Sequence, residues 1–237
     1  MPKRKRTYYG VSIGILMMET YFERFNGDIG NARTWPFPVQ YCIVKGATPD
    51  RVTDAAGPNM LDAFKAAADE LIAAGVDGIT MTCGFLALYQ KELAAHCSVP
   101  VATSALLQVP LVARILPRGK RPAILTFSAE GLTAAHLEAV GVDPTTPVHG
   151  MPRTSEFQRS IREGDTSVPF AALEREVLEA VARMVRADPS IGALVLECTN
   201  LTPYSRAIGL TTGFPVFDMV SLVHWFQRSL RPELFVD

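Results

Sequence analysis

Seven short apolar runs, at residues 11–17, 39–44, 78–81, 99–102, 123–127, 193–196 and 215–217, alternate with longer amphipathic stretches. No other feature of the sequence limits the fold so sharply. Runs of this length suit buried strands. The stretches between them, at 59–74, 86–95, 106–116, 131–140, 170–186 and 220–230, carry helical spacing. In the fifth of these, Leu173, Val177, Val181 and Met184 share one face, with Glu and Arg on the other. Strands joined in sequence by helices run parallel, with helices covering both faces of the sheet. The expected class is α/β.

The turn formers add detail. Asn26-Gly27-Asp28-Ile29-Gly30-Asn31 separates the first two strands, and Trp35-Pro36-Phe37-Pro38 leads into the second. Residues 151–168 hold few apolar side chains and several turn formers, so they are expected to form a functional loop.

Charge and length exclude several classes of function. The net charge is −1, which gives no global field for nucleic acid or membrane. Lys3-Arg4-Lys5-Arg6 is the one charged run and reads as a solvated end. The apolar run that follows is too short to span a bilayer, so a soluble, cytoplasmic protein is expected.

The four cysteines are Cys42, Cys83, Cys97 and Cys198. None sits in a Cys-x-x-Cys pair or beside histidines at zinc spacing, so reduced thiols and no bound metal are expected. Cys83 and Cys198 each close an apolar strand. Gly78-Ile79-Thr80-Met81-Thr82-Cys83 resembles Ala193-Leu194-Val195-Leu196-Glu197-Cys198, and residues 14–17 pair with 124–127 at a similar offset. Ligands of open α/β sheets bind beyond the carboxyl ends of strands. Two thiols there, one charged and one protonated, make a base and an acid for proton transfer at carbon. Cys42, within a strand, and Cys97, near a helix end, are read as structural. His96, His136, His149 and His224 are scattered and are likewise read as structural or surface.

Thr82-Cys83-Gly84-Phe85 and Glu197-Cys198-Thr199-Asn200 resemble the two cysteine motifs of the aspartate/glutamate racemase superfamily. That group includes hydantoin racemases, maleate cis–trans isomerases and arylmalonate decarboxylases. The resemblance runs from the first strand near Ile13 to the last helix after Asp218. It implies two Rossmann-like halves with pseudo-twofold symmetry and an active site in the cleft between them. On this basis residues 1-105 plus 213-237 form the half carrying Cys83, and 106-212 the half carrying Cys198. The resemblance also implies cysteine acid/base chemistry without a cofactor, a small carboxylate or hydantoin-like substrate, and a homodimer or higher homo-oligomer.

In typical glutamate and aspartate racemases the first cysteine is followed by Asn-Thr. Here Gly84-Phe85 follows, leaving a less polar wall, and Glu197 stands where a small residue is common. The substrate-binding set expected alongside Cys83 and Cys198 is Gly14, Met17, Gly84, Phe85, Thr126, Ser128, Thr199 and Asn200. Thr199 and Asn200 either supply donors to an enolate-like oxygen or cap the following turn. Ser128 has the same two roles open, as do Thr103 and Ser104. Tyr204 either closes over the ligand or covers apolar surface, and Asp218 reads as the N-cap of the last helix. The expected activity is a racemase or epimerase working on a carbon next to a carboxylate or carbonyl. Isomerase-like or decarboxylase-like chemistry on the same fold, and a non-catalytic small-acid-binding protein, are the alternatives.

Overall fold

The computed structural model describes residues 9–53 and 59–232. The Lys3-Arg4-Lys5-Arg6 run lies outside them. Among the described residues, eight strands form two four-stranded sheets. The first contains β1 (Ile13–Met18), β2 (Val39–Val44), β3 (Gly78–Met81) and β4 (Val101–Ala102) in the order β2-β1-β3-β4. The second contains β5 (Arg121–Thr126), β6 (Val148–Gly150), β7 (Ile191–Leu196) and β8 (Val216–Phe217) in the order β6-β5-β7-β8. Every pairing is parallel. The two orders are the same, so β1 matches β5 and β3 matches β7. The short repeat visible in the sequence is therefore a repeat of the fold.

Burial follows from composition. The central strands β3 and β7 are almost wholly apolar, and their side chains are buried on both faces, as helix-covered parallel strands require. The helix Leu61–Ala74 lies on the first sheet, and Gly14 lets it approach closely. A Cβ at Gly14 would sit 2.9 Å from the Leu71 side chain and 3.2 Å from Val76. On the second sheet, Leu173, Val177, Val181 and Met184 of the helix Phe170–Ala187 are buried, as their spacing requires.

Three features depart from expectation. The segment at 151–168 contains a helix, Glu156–Glu163, capped by the Ser155 side chain and ended by Gly164 at φ 69°. Its buried face includes Gln158 and Ser160, so an apolar count does not reveal it. The edge strand β6 is short and only half-buried, which leaves no alternating pattern to read. The third departure concerns the boundary of the halves. Residues 213–237 were expected in the first half, yet β8 pairs with β7 in the second sheet. The chain returns only with the helix Met219–Leu230, whose Phe226 and Leu230 pack where a Gly78 side chain would lie. Asp218 caps that helix, its carboxylate accepting from the Ser221 amide at 2.7 Å. Among the described residues no helix is long and apolar enough to cross a membrane.

Candidate active site

β3 and β7 each run one residue past their last ladder position and then reach a cysteine. Cys83 and Cys198 both have extended backbones, and each is followed at once by a 3₁₀ helix, Gly84–Tyr89 or Thr199–Tyr204. Because β3 and β7 hold equivalent places in the two sheets, the two thiols arrive at equivalent strand ends. They line one cleft, with about 370 Å³ of space between its walls. Cys83 is 8% exposed and Cys198 is 7% exposed.

Two polar links tie the halves together around this cleft. Thr199 Oγ1 donates to the Thr82 carbonyl at 2.7 Å. Asn200 Nδ2 donates to Asp28 Oδ2, also at 2.7 Å. The other oxygen of Asp28 accepts from Arg24 at 2.7 Å and from the Gly30 amide at 2.8 Å. Arg24 donates in turn to Thr20 Oγ1. The turn-rich segment after β1 is thus a polar clamp on the second half. Replacing Asp28 by alanine strands a largely buried guanidinium and is expected to destabilise the fold by about 3 kcal/mol. The drop would be read as a lower urea midpoint.

Burial is the main cause of the thiols' electrostatics. It pushes Cys83 up to about 12, and the Glu197 carboxyl adds to the rise. The amides of Phe85 and Leu86 and the charge of Arg24 pull the other way. Cys198 is raised well above its ordinary value, again by burial and then Glu197, with the Asn200 amide opposing. Cys83 also raises Cys198, and so does Asp28. Two amides and the charge of Arg24 thus oppose the rise at Cys83, and one amide opposes it at Cys198.

Glu197 completes the wall. Its side chain is fully buried, and Oε2 accepts from Thr126 Oγ1 at 2.6 Å. Burial lifts its pKa to about 7. Gly84 is packed against it: a Cβ there would lie 2.3 Å from both the backbone oxygen and Oε1 of Glu197. Only glycine fits. Phe85 is also on the cleft, and its ring meets His136 edge-on at 5.4 Å between centroids.

Of the expected binding set, Gly84, Phe85, Thr199 and Asn200 line the cleft with the two cysteines. The other four lie elsewhere. Gly14 is in the helix–sheet interface, and Met17 packs toward Gly30 while its neighbour Met18 takes the cleft position. Thr126 stands behind Glu197. Ser128 accepts from the Gly131 amide at 3.3 Å, a local turn bond. Ser104 caps the 3₁₀ helix that follows it, and Thr103 bonds Gln90. Sequence reasoning passed over Ile161, which the unforeseen helix Glu156–Glu163 brings to the cleft, and Glu197, flagged only as an unusual neighbour of Cys198. Among the described residues no cluster of His, Cys, Asp or Glu forms a metal site.

A second hollow, of about 410 Å³, adjoins the first and shares Ile161 and Asn200 with it. Phe25, Phe157 and Tyr204 line it together with Asp28 and Asp165.

No protein-family model matches the chain. It is similar to dimethylsulfoniopropionate lyases, which are enzymes. One from Durusdinium sp. clade D is 25% identical over 225 residues, covering 92% of this chain and 74% of that protein. Dimethylsulfoniopropionate lyase 7 of Emiliania huxleyi is 28% identical over 233 residues, covering 92% and 67%. Among solved structures, a glycine-to-cysteine variant of arylmalonate decarboxylase has a TM-score of 0.64 at 17% identity, covering 94% of this chain and 97% of that one. Allantoin racemase from Klebsiella pneumoniae gives 0.61 at 18%, covering 93% and 87%. Glutamate racemase from Bacillus anthracis gives 0.54 at 15%, covering 92% and 82%. With two matching parallel sheets and these neighbours, the chain has the fold of the aspartate/glutamate/hydantoin racemase superfamily.

Proposed function

We propose that this chain is a carbon-acid enzyme in which a cysteine removes the proton next to the carboxylate of a small acid, and that the reaction is β-elimination from a sulfonium propionate. The observation that carries the proposal is the pair of thiols at equivalent strand ends on one cleft. Cys83 is the base, since two amides and Arg24 favour its thiolate. The thiolate sulfur takes the Cα proton, and the electron pair of that C–H bond forms Cα=Cβ. The Cβ–S bond breaks with its pair going to sulfur. Acrylate and neutral dimethyl sulfide leave, and Cys83 returns its proton to solvent. Atoms and charge balance without an oxidant.

Two features support a lyase. The sequence relatives that cover 92% of this chain carry that name. The adjoining hollow also offers ring edges and faces together with the carboxylates of Asp28 and Asp165, surroundings that suit a cationic sulfonium end. The positive charge close to the acidic carbon also favours the thiolate that must form.

A second reading keeps the first step and changes the second. Cys198, still protonated, returns a proton to the opposite face, and the centre inverts. Two thiols on one cleft favour it. The test is one incubation in deuterated buffer, first with dimethylsulfoniopropionate and then with chiral small acids and hydantoins. Dimethyl sulfide in the headspace supports elimination. Deuterium at Cα with loss of optical rotation and no fragmentation supports inversion. Neither result with any of them refutes both.

A further inference from the structure

We propose that Glu197 is a further catalytic residue, which donates a hydrogen bond from its protonated Oε1 to the carboxylate of the substrate beside Cys83 and Cys198. The inference rests on reading the cleft as a site for small carboxylates. It assigns the group that receives the acid end.

Glu197 is fully buried, and Thr126 serves only one of its oxygens. Oε1 has no hydrogen-bond partner. A buried polar atom left unpaired is costly, so a ligand that pairs it is favoured. The position of Glu197 says which ligand. It lines the cleft with both thiols, and its Oε1 lies against the bare backbone of Gly84, another residue of the cleft wall.

Charge decides the protonation state in which Glu197 works. No Lys, Arg or His is among the described residues lining the cleft, and the Arg162 guanidinium stands over the Phe127 ring on its wall. The charged groups felt at the thiols lie farther out, Arg24 acting on Cys83 and Asp28 on Cys198. An ionised Glu197 would repel the substrate and oppose both thiolates. A protonated one removes both penalties and presents an O–H. Burial already holds its pKa at about 7, so the proton is available near neutrality. Hydrogen bonds from a carboxylic acid to a carboxylate are short and strong. The bond strengthens as negative charge grows on the acid oxygens when the Cα proton leaves, which makes it a transition-state interaction.

Binding of an anionic acid must then take up a proton at Glu197 at higher pH. The probe is 3-(methylthio)propionate, which lacks the sulfonium leaving group. Titration calorimetry at pH 6 to 8.5, in buffers of different ionisation enthalpy, reads both affinity and proton uptake. The wild-type Kd is expected to be flat below pH 7 and to rise about tenfold per pH unit above it, with about one proton taken up at pH 8. Glu197→Gln keeps a donor but cannot titrate. It is expected to bind within a few-fold of wild type at pH 6, with no pH dependence and no proton uptake. Glu197→Met removes the donor and is expected to weaken binding at pH 6 by about tenfold or more. A pH-independent wild-type Kd overturns the proposal whatever the variants do, and so does a wild-type slope in Glu197→Gln. If the probe fails to bind at any pH, the small-carboxylate reading falls first and this proposal with it.

Discussion

Replacing Cys83 by alanine is expected to cut the release of dimethyl sulfide from dimethylsulfoniopropionate by about 10³-fold or more. A positioned general base contributes on the order of 10²–10⁴-fold, and two amides and the charge of Arg24 favour the Cys83 thiolate. Cys198→Ala is expected to cost far less in an elimination, because the leaving group departs without its proton. Inversion would instead require both thiols, and each single variant would then be inactive. Headspace gas chromatography of the two variants reads elimination, and loss of optical rotation of a chiral acid reads inversion. The alanine side chain fills less of the buried site than the thiol, so thermal midpoints should fall by only a few degrees.

Gly84→Ala is expected to do more damage than its single methyl suggests. The new Cβ would sit 2.3 Å from the backbone oxygen of Glu197 as well as from Oε1, and the backbone oxygen has no rotamer in which to move away. The 3₁₀ helix that begins at Gly84 must shift, and Cys83 immediately before it shifts with it. Overpacking of this kind costs about 1–3 kcal/mol. A displacement of about 1 Å at the thiol costs on the order of 10²-fold in turnover. Denaturant unfolding and steady-state kinetics on the same preparation would show a lower midpoint with a much lower kcat. Unchanged kcat in a stably folded Gly84→Ala would mean that Cys83 is not held by the turn it opens.

The sequence was most legible where burial is two-sided. β3 has the bounds its apolar run suggests, because a strand covered on both faces must be continuously apolar. The equivalence of β3 and β7 was visible for the same reason, and it pointed to Cys83 and Cys198 together. Elements whose neighbours supply their stability were not legible. The helix Glu156–Glu163 buries Gln158, whose amide donates to the carbonyls of Phe127 and Met151 at 2.6 and 2.8 Å. A glutamine in that role carries no apolar signal. β8 shows the same limit: its residues read as a strand, but only the pairing with β7 tells which sheet receives it.

At the site, the motif neighbours are the residues that the fold brings together. Gly84, Phe85, Thr199 and Asn200 line the cleft because they are covalently next to the cysteines. Residues inferred from strand ends without a cysteine fared differently. Gly14 is explained by Leu71 and Val76, and Thr126 by Glu197, contacts that no local pattern encodes. Glu197 and Gly84 are 113 positions apart and look like two separate oddities along the chain. In the fold they are one feature, a large polar side chain accommodated by a missing one.

The account stands on Cys83 and Cys198 sharing one ligand site. Alkylation by iodoacetamide, resolved by mass spectrometry at each cysteine and run with and without saturating 3-(methylthio)propionate, tests this most directly. The expected result is that the ligand slows labelling of Cys83 and Cys198 in parallel, while the half-buried Cys42 and Cys97 label at unchanged rates. Protection of only one of the two buried thiols, or of neither at ligand concentrations that saturate binding, would contradict it.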